Sequence, residues 1–216
     1  QRRTLFQSAA RVSMKTKARS KRVRIILNGK VAGNNALRAA VARQRAAGHH
    51  IEVRVTREKG DARRFLSEAG RVDLVVAAGG DGTLNEVLHG LMNLSAVTRP
   101  RLGIVPLGTA NDFATGCGIP GDPAKALALC MKGEAVPIDV GKANDHWFIN
   151  AASSGFGAEV TATTSPELKR LFGPAAYTVM GAILAINLHH YRGRLILPGR
   201  EITGSGPVAI VGNGRQ

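Results

Sequence analysis

Residues 72–86 read VDLVVAAGGDGTLNE, and they are the most informative segment of the chain. Its first part is a continuous apolar run, which is typical of a strand buried on both faces of a parallel sheet. Three glycines follow, Gly79, Gly80 and Gly82, and a helical pattern begins directly after them. Because glycine lacks a Cβ atom, the backbone can turn sharply and present its N–H groups to a phosphate at the start of the helix. The segment therefore predicts a strand, an anion-binding turn and a helix.

Asp81 lies inside this turn and favours a functional interpretation over a plain strand-to-helix connection. A carboxylate is unfavourable in an anion-binding loop unless a cation separates it from the phosphate or the carboxylate takes part in the reaction. The loop is not a P-loop, because no G-K-[ST] follows, and Asn85 occupies the last glycine position of G-x-G-x-x-G. We therefore predict a phosphate site of another kind, with Asp81 as its catalytic candidate.

Strands and helices alternate on both sides of this segment. IEVRV at 51–55 has the alternating pattern of a half-buried strand. Gly60-Asp61 is expected to cap the helix that follows, with Asp61 accepting N–H bonds at its start. The predicted strands are 22–27, 51–55, 72–78 and 101–107, and the predicted helices are 35–47, 62–70, 83–94 and 124–131. This alternation predicts a parallel α/β domain whose ligands gather at the carboxyl ends of the strands.

A second glycine turn, LGTAND at 107–112, follows the predicted strand at 101–107. Because the carboxyl ends of parallel strands open at one edge of a sheet, we expect Asp81 and Thr109 to face the same ligand. Thr56 and Asn28 end two other predicted strands and are expected on the same rim, although each residue type also occurs in ordinary turns.

The pattern of the sequence changes near Pro137. Strand-like segments and turns then dominate, with one long helical stretch predicted within 165–192, so a second, antiparallel domain is expected. We predict a basic amino-terminal arm at 1–22, a parallel α/β domain at 23–136 and a β-rich domain at 137–216.

The net charge of +15 is concentrated at the start of the chain. Nine of the 30 Lys and Arg residues precede Ile25 and no acid does, so the remainder carries only +6. We interpret this segment as a disordered basic arm, with a nucleic-acid interface as the alternative. Cys117 and Cys130 form no C-x-x-C pair and no Cys/His cluster has zinc spacing, so neither a disulfide framework nor a structural metal is expected.

The longest apolar run, 175–188, is too short to cross a bilayer. Basic residues flank it, among them Lys169, Arg170 and Arg192, so it could rest on an anionic membrane surface. A core helix with solvated ends is the alternative. We expect a cytoplasmic protein with transient membrane contact.

Several motifs together resemble the diacylglycerol-kinase catalytic-domain family, in particular its bacterial YegS-type lipid kinases. They are GGDGTLNEV, PLGTANDFA, LNGK, the T-x-x-x-GDA of residues 56–62, and FIN…GFG. The resemblance implies that 23–136 is an NAD-kinase-like nucleotide-binding domain with a parallel sheet. It implies that 137–216 is part of an antiparallel β-sandwich that holds the lipid, here incomplete. It also implies ATP as phosphoryl donor, Mg²⁺, and a lipid hydroxyl as acceptor.

By position in these motifs, the resemblance implies nucleotide contacts at Thr56, Gly80, Asp81, Gly82, Thr83, Leu84, Asn85, Glu86 and Thr109. Asp81 would act through Mg²⁺ or orient the acceptor. Family members continue beyond a segment resembling residues 212–216 to magnesium ligands and a catalytic acidic residue. The chain is therefore expected to be truncated, and no general base is assigned within it.

Three alternatives stay open at this point. The first is an enzyme of the same superfamily acting on a soluble substrate, such as NAD or a sugar phosphate. The second is an ATP-binding pseudokinase or non-catalytic fragment. The third is a nucleic-acid-binding protein that uses the basic arm, although no specific nucleic acid is expected.

Overall fold

The structure, a computed structural model, describes residues 20–68, 70–155, 190–197 and 199–213. Four parallel strands form one sheet in the order β2-β1-β3-β4. Their bounds are Arg22–Asn28 (β1), His50–Thr56 (β2), Leu74–Gly79 (β3) and Arg101–Pro106 (β4). All of the neighbouring pairs in this sheet run parallel, as the alternation in the sequence predicts.

Helices cover both faces of this sheet. The chain contains a 3-10 turn at Gly29–Val31 and the helices Asn35–Ala46 (α1), Asp61–Ser67 (α2), Asp81–Met92 (α3), Asp112–Gly116 (α4) and Pro123–Lys132 (α5). Side chains from α1 and α5 share one apolar core with the sheet, and those from α2 and α3 share the other. Ile25 and Ile26 are neighbours in β1 and point to opposite cores, and each is 0% exposed.

The strand order reverses between β1 and β3. From β1 the chain moves to the edge strand β2, then crosses back to β3 on the other side of β1 and continues to β4. In open α/β sheets such a reversal leaves a crevice at the carboxyl ends of the strands, because the connections leave in opposite directions. The glycine turn of residues 79–82 follows β3 and therefore lies beside this crevice.

The ends of the helices follow local chemistry. The side chain of Asn34 accepts from the N–H of Leu37 at the start of α1, and Asp122 accepts from Lys125 N–H at the start of α5. Gly60 caps α2 as expected, but the expectation that the Asp61 side chain accepts N–H bonds at the start of this helix is wrong. Gly60 is the cap residue, and Asp61 is the first residue inside the helix, so its carboxylate turns back toward the preceding loop.

Beyond α5 the described strands pair antiparallel, as predicted. Gly141–Ala143 (β5) pairs with His146–Phe148 (β6), Ala151–Gly155 (β7) with Val208–Gly212 (β10), and Tyr191–Leu197 (β8) with Arg200–Gly206 (β9). Ile149 is 4% exposed and packs into the core formed with α2 and α3. The sandwich itself and the bounds of the three predicted segments stay predictions.

The predicted helical stretch within 165–192 and the apolar run 175–188 fall outside the described residues, apart from 190–192. Among the ranges that the structure does describe, none of the helices is both long and apolar enough to pass through a bilayer.

Candidate functional site

The start of α3 offers backbone amides that lack a helical acceptor. Gly80 is the cap residue, has extended backbone angles and provides no side chain to cap the helix. The first intrahelical bond runs from Leu84 N–H to Gly80 O at 3.1 Å. The amides of the three preceding residues, 81–83, therefore point out of the helix, where its dipole favours an anion. This end of α3 can accept a phosphate.

Thr83 is held inside the protein by the neighbouring strand. Its side chain packs over Gly79, where a Cβ atom would collide with Thr83 Oγ1. Asn28, the last residue of β1, donates from Nδ2 to Thr83 Oγ1 at 2.8 Å and accepts from Lys30 N–H at 2.9 Å. Thr83 is only 6% exposed. The hydroxyl of Thr83 therefore bonds to the end of β1, while its side chain packs against the end of β3.

The second glycine turn contacts the first through backbone. A Cβ atom on Gly108 would collide with the Cα of Gly80, so the backbones of the two turns lie in direct contact. Asn111 has left-handed backbone angles, φ 54° and ψ 42°. Its side chain accepts from Gly108 N–H at 2.9 Å and donates to Gly108 O at 2.8 Å, which fixes the shape of the turn.

Asp81 connects the same two turns through its carboxylate. Its oxygens accept from the backbone N–H groups of Asp112, at 3.2 Å, and Phe113, at 3.3 Å, at the start of α4. The sequence motif assigned Asp81 a role in the reaction. The structure adds that this carboxylate also caps the short helix of the other turn.

The structure thus brings the predicted site residues together to different degrees. Gly80 and Asp81 contact the turn that carries the exposed Thr109, and Gly82 follows them in α3. Thr56 ends β2 and is separated from β3 by β1, so at about 4.8 Å per strand it lies about 10 Å away. Their roles in nucleotide binding stay predictions.

The remaining predicted contacts lie along α3 and differ in exposure. Leu84 is 3% exposed and belongs to the core beneath α3, whereas Asn85 is exposed and Glu86 is half-buried. The side chain of Leu84 therefore faces the protein interior, and a nucleotide contact by Asn85 or Glu86 stays a prediction.

Two features of the site carry no clear signal in the sequence. The first is the bond between Asn28 and Thr83, which are 55 residues apart in the sequence. The second is the bond of the Asn111 side chain to its own turn, which needs a left-handed backbone at Asn111. The one available hint is the residue type, since Asn tolerates left-handed angles and bonds to nearby backbone more readily than most residues.

Mg²⁺ fits the site only in part. In the described ranges no three His, Cys, Asp or Glu side chains come together as a metal cage. Magnesium in kinases, however, is commonly held by one or two carboxylates together with the phosphates of the substrate. The carboxylate of Asp81, placed beside the amides of α3, is a suitable oxygen ligand of this kind.

Comparison with known proteins agrees with this geometry. The family described as the diacylglycerol kinase catalytic domain matches residues 22–143, which is more than half of the chain. A protein of Chromohalobacter salexigens named "Probable lipid kinase YegS-like" is 48% identical over 194 residues, covering 89% of this chain and 62% of that protein. A protein of the same name from Yersinia enterocolitica is 47% identical over 195 residues, covering 89% and 66%.

The fold is also that of a solved relative. The crystal structure of a diacylglycerol kinase from Bacillus anthracis matches with a TM-score of 0.65 and 30% identity, over 90% of this chain and 64% of that one. The chain spans between 62% and 66% of the length of these relatives. The match to the family over residues 22–143 and the shared fold show that the chain belongs to the diacylglycerol kinase catalytic domain family.

Proposed function

We propose that this chain is the nucleotide-binding portion of an ATP-dependent lipid kinase, which transfers the γ-phosphoryl group of ATP to a hydroxyl of a phospholipid or diacylglycerol. The observation that carries the proposal is the pair of glycine turns in contact at the strand-order reversal, with the first amides of α3 directed outward. The printed names of the relatives support a lipid as acceptor. A cytoplasmic location with transient membrane contact is part of the same proposal.

Phosphoryl transfer depends mainly on alignment and on neutralising charge. The outward amides of residues 81–83 would bind phosphate oxygens, and the Gly80–Gly108 contact keeps the two turns at a fixed separation. Thr56 and Thr109 would hold the nucleotide from two sides of the crevice. Because these groups sit on a rigid sheet edge, they require little rearrangement when ATP binds.

Asp81 is the catalytic candidate. Its carboxylate is the acidic group of the first glycine turn and would be the protein ligand of Mg²⁺, which supplies positive charge to the phosphates when bound. Its bonds to Asp112 and Phe113 N–H orient it toward the gap between the turns. We assign no residue of this chain as the base that deprotonates the acceptor.

The test uses this chain and a version extended to the full length of its relatives. Calorimetric titration with ATP should show binding by both. Phosphorylation of a lipid panel with radiolabelled ATP should occur with the extended version. ATP binding by the extended version without phosphorylation of any lipid would instead identify a pseudokinase, and absence of ATP binding by both would refute the nucleotide site.

A further inference from the structure

The loop between β2 and α2, residues 57–60, is organised by one buried carboxylate. Asp61 is 5% exposed. Its Oδ2 atom accepts from Arg57 N–H at 2.8 Å and from Glu58 N–H at 3.2 Å. The N–H of Asp61 donates to Glu58 O at 3.3 Å, so Asp61 and Glu58 are joined by two hydrogen bonds. Asp61 therefore fixes the backbone that directly follows Thr56.

The carboxylate is itself held in place from α2. Its Oδ1 atom meets Arg64 Nη2 at 2.6 Å, and the guanidinium of Arg64 lies 4.8 Å from the ring centre of the buried Phe65. Gly60 has a φ of +97°, which lets the chain reverse so that Asp61 faces the loop. The carboxylate thus links the loop to the core beneath α2.

Asp61 is ionised at all pH values near neutrality. The N–H group of Arg57, then Arg64 and the N–H of Glu58, lower the pKa of this carboxyl from 3.8 to about 2. Hydrogen bonds to an ionised carboxylate are shorter and stronger than those to a neutral acceptor.

Thr56 is positioned between this loop and the end of β1. It is the last residue of β2 and lies in register with Asn28. On that side the fit is close, since a Cβ atom on Gly29 would collide with Thr56 O. On the other side its neighbour Arg57 is bonded to Asp61. The backbone of Thr56 therefore lies between β1 on one side and the loop bonded to Asp61 on the other.

We propose that Asp61 is a positioning residue for the nucleotide, which holds Thr56 toward the ligand by fixing residues 57–60. The proposal rests on the proposed function, because it requires Thr56 to contact the nucleotide. Thr56 lies about 10 Å from the turn after β3, which is more than a single phosphate group spans. Loss of Asp61 should therefore weaken recognition of ATP more than binding of phosphates at α3.

The experiment compares ATP with tripolyphosphate, which has the phosphates and no nucleoside. Asp61→Ala should raise the Kd of ATP about tenfold or more, the effect of losing hydrogen bonds to a charged group. The Kd of tripolyphosphate should stay unchanged. Asp61→Asn should largely restore ATP binding, because its amide oxygen can accept the same two N–H groups. Arg64→Met removes the ion pair, keeps both loop bonds and is the matched control.

Two further measurements separate positioning from stability. Hydrogen exchange should increase at the amides of Arg57 and Glu58 in Asp61→Ala and stay slow in β1 and β3. In a Thr56→Val background, Asp61→Ala should have no further effect on the Kd of ATP, because the two residues act in series. Should Asp61→Ala fail to fold, Asp61→Glu keeps the charge but is one methylene too long for the same loop bonds, and it should weaken ATP binding likewise.

The outcomes distinguish the two proposals. Unchanged ATP affinity in Asp61→Ala, together with faster exchange at Arg57 and Glu58, would overturn the positioning role alone. An equal loss of ATP and tripolyphosphate affinity in a folded Asp61→Ala or Asp61→Glu variant would also overturn it. A wild-type chain that binds no ATP would overturn the proposed function, and with it the nucleotide role of Asp61.

Discussion

Thr83→Val is expected to reduce the stability of the α/β domain and to leave its affinity for ATP nearly unchanged. Valine keeps the β-branched shape over Gly79 and removes the hydroxyl that accepts from Asn28 at 2.8 Å. Asn28 is half-buried, so water can replace the lost partner of its Nδ2 group only in part. A half-buried donor that loses its acceptor costs about 1 kcal/mol, or about 2–4 °C in Tm for a chain of this size.

The assay is thermal and urea unfolding of Thr83→Val, Asn28→Ala and the double variant, with ATP titration of each. If the two side chains act through their shared bond, the double-mutant cycle should give a coupling energy of about 1 kcal/mol. A hydroxyl that instead binds the nucleotide would give the opposite result, with unchanged unfolding and weaker ATP binding. That result would refute the structural role of Thr83 at the crevice.

Four further outcomes are expected. Asp81→Ala in the version extended to the length of the relatives should abolish lipid phosphorylation and leave a folded protein, and substantial turnover would remove catalysis from this turn. Thr109→Val should weaken ATP binding without unfolding, because it deletes an exposed hydroxyl on the rim, and an unchanged Kd in calorimetry would make the second turn structural only. The pKa of Asp61 is lowered from 3.8 to about 2, chiefly by Arg57 N–H, so its stabilising effect is complete above pH 3.8 and disappears as the pH falls toward 2. Acid unfolding of Asp61→Asn should lack this component, and identical acid profiles would contradict it. The 216-residue chain should bind ATP yet fail as a kinase and unfold at a lower temperature than the extended version, and comparable lipid kinase activity would place the acceptor base within it.

The parallel sheet could be predicted because its strands are short apolar runs between turn residues. VDLVVAA at 72–78 shows this pattern, and β3 occupies Leu74–Gly79 within and just after it. The predicted start of α3 at Thr83 is two residues late, because Asp81 and Gly82 are weak helix formers whose helical backbone is imposed by the turn. The helix α4 was missed, since five residues are too few to show helical periodicity.

The candidate site could be predicted in place but not in detail. The two glycine turns meet at one sheet edge as expected, because parallel strands all end there. The sequence could not show that the hydroxyl of Thr83 faces Asn28, or that Asp61 turns away from the helix it begins. The first contact joins residues that only the sheet brings together, and the second depends on the left-handed backbone angle of Gly60. Local composition indicates neither.

The contact between Gly80 and Gly108 limits which substitutions can alter ligand binding at this edge of the sheet. Since the two α-carbons face each other without side chains between them, the gap between the turns is set by the thickness of the backbone. No exchange of side chains elsewhere can narrow this gap, and any substitution at either glycine must widen it. A new ligand preference at this edge must therefore arise from residues around the two turns, such as Thr56, Thr109 and Asn85, while the pair of glycines is kept as a unit.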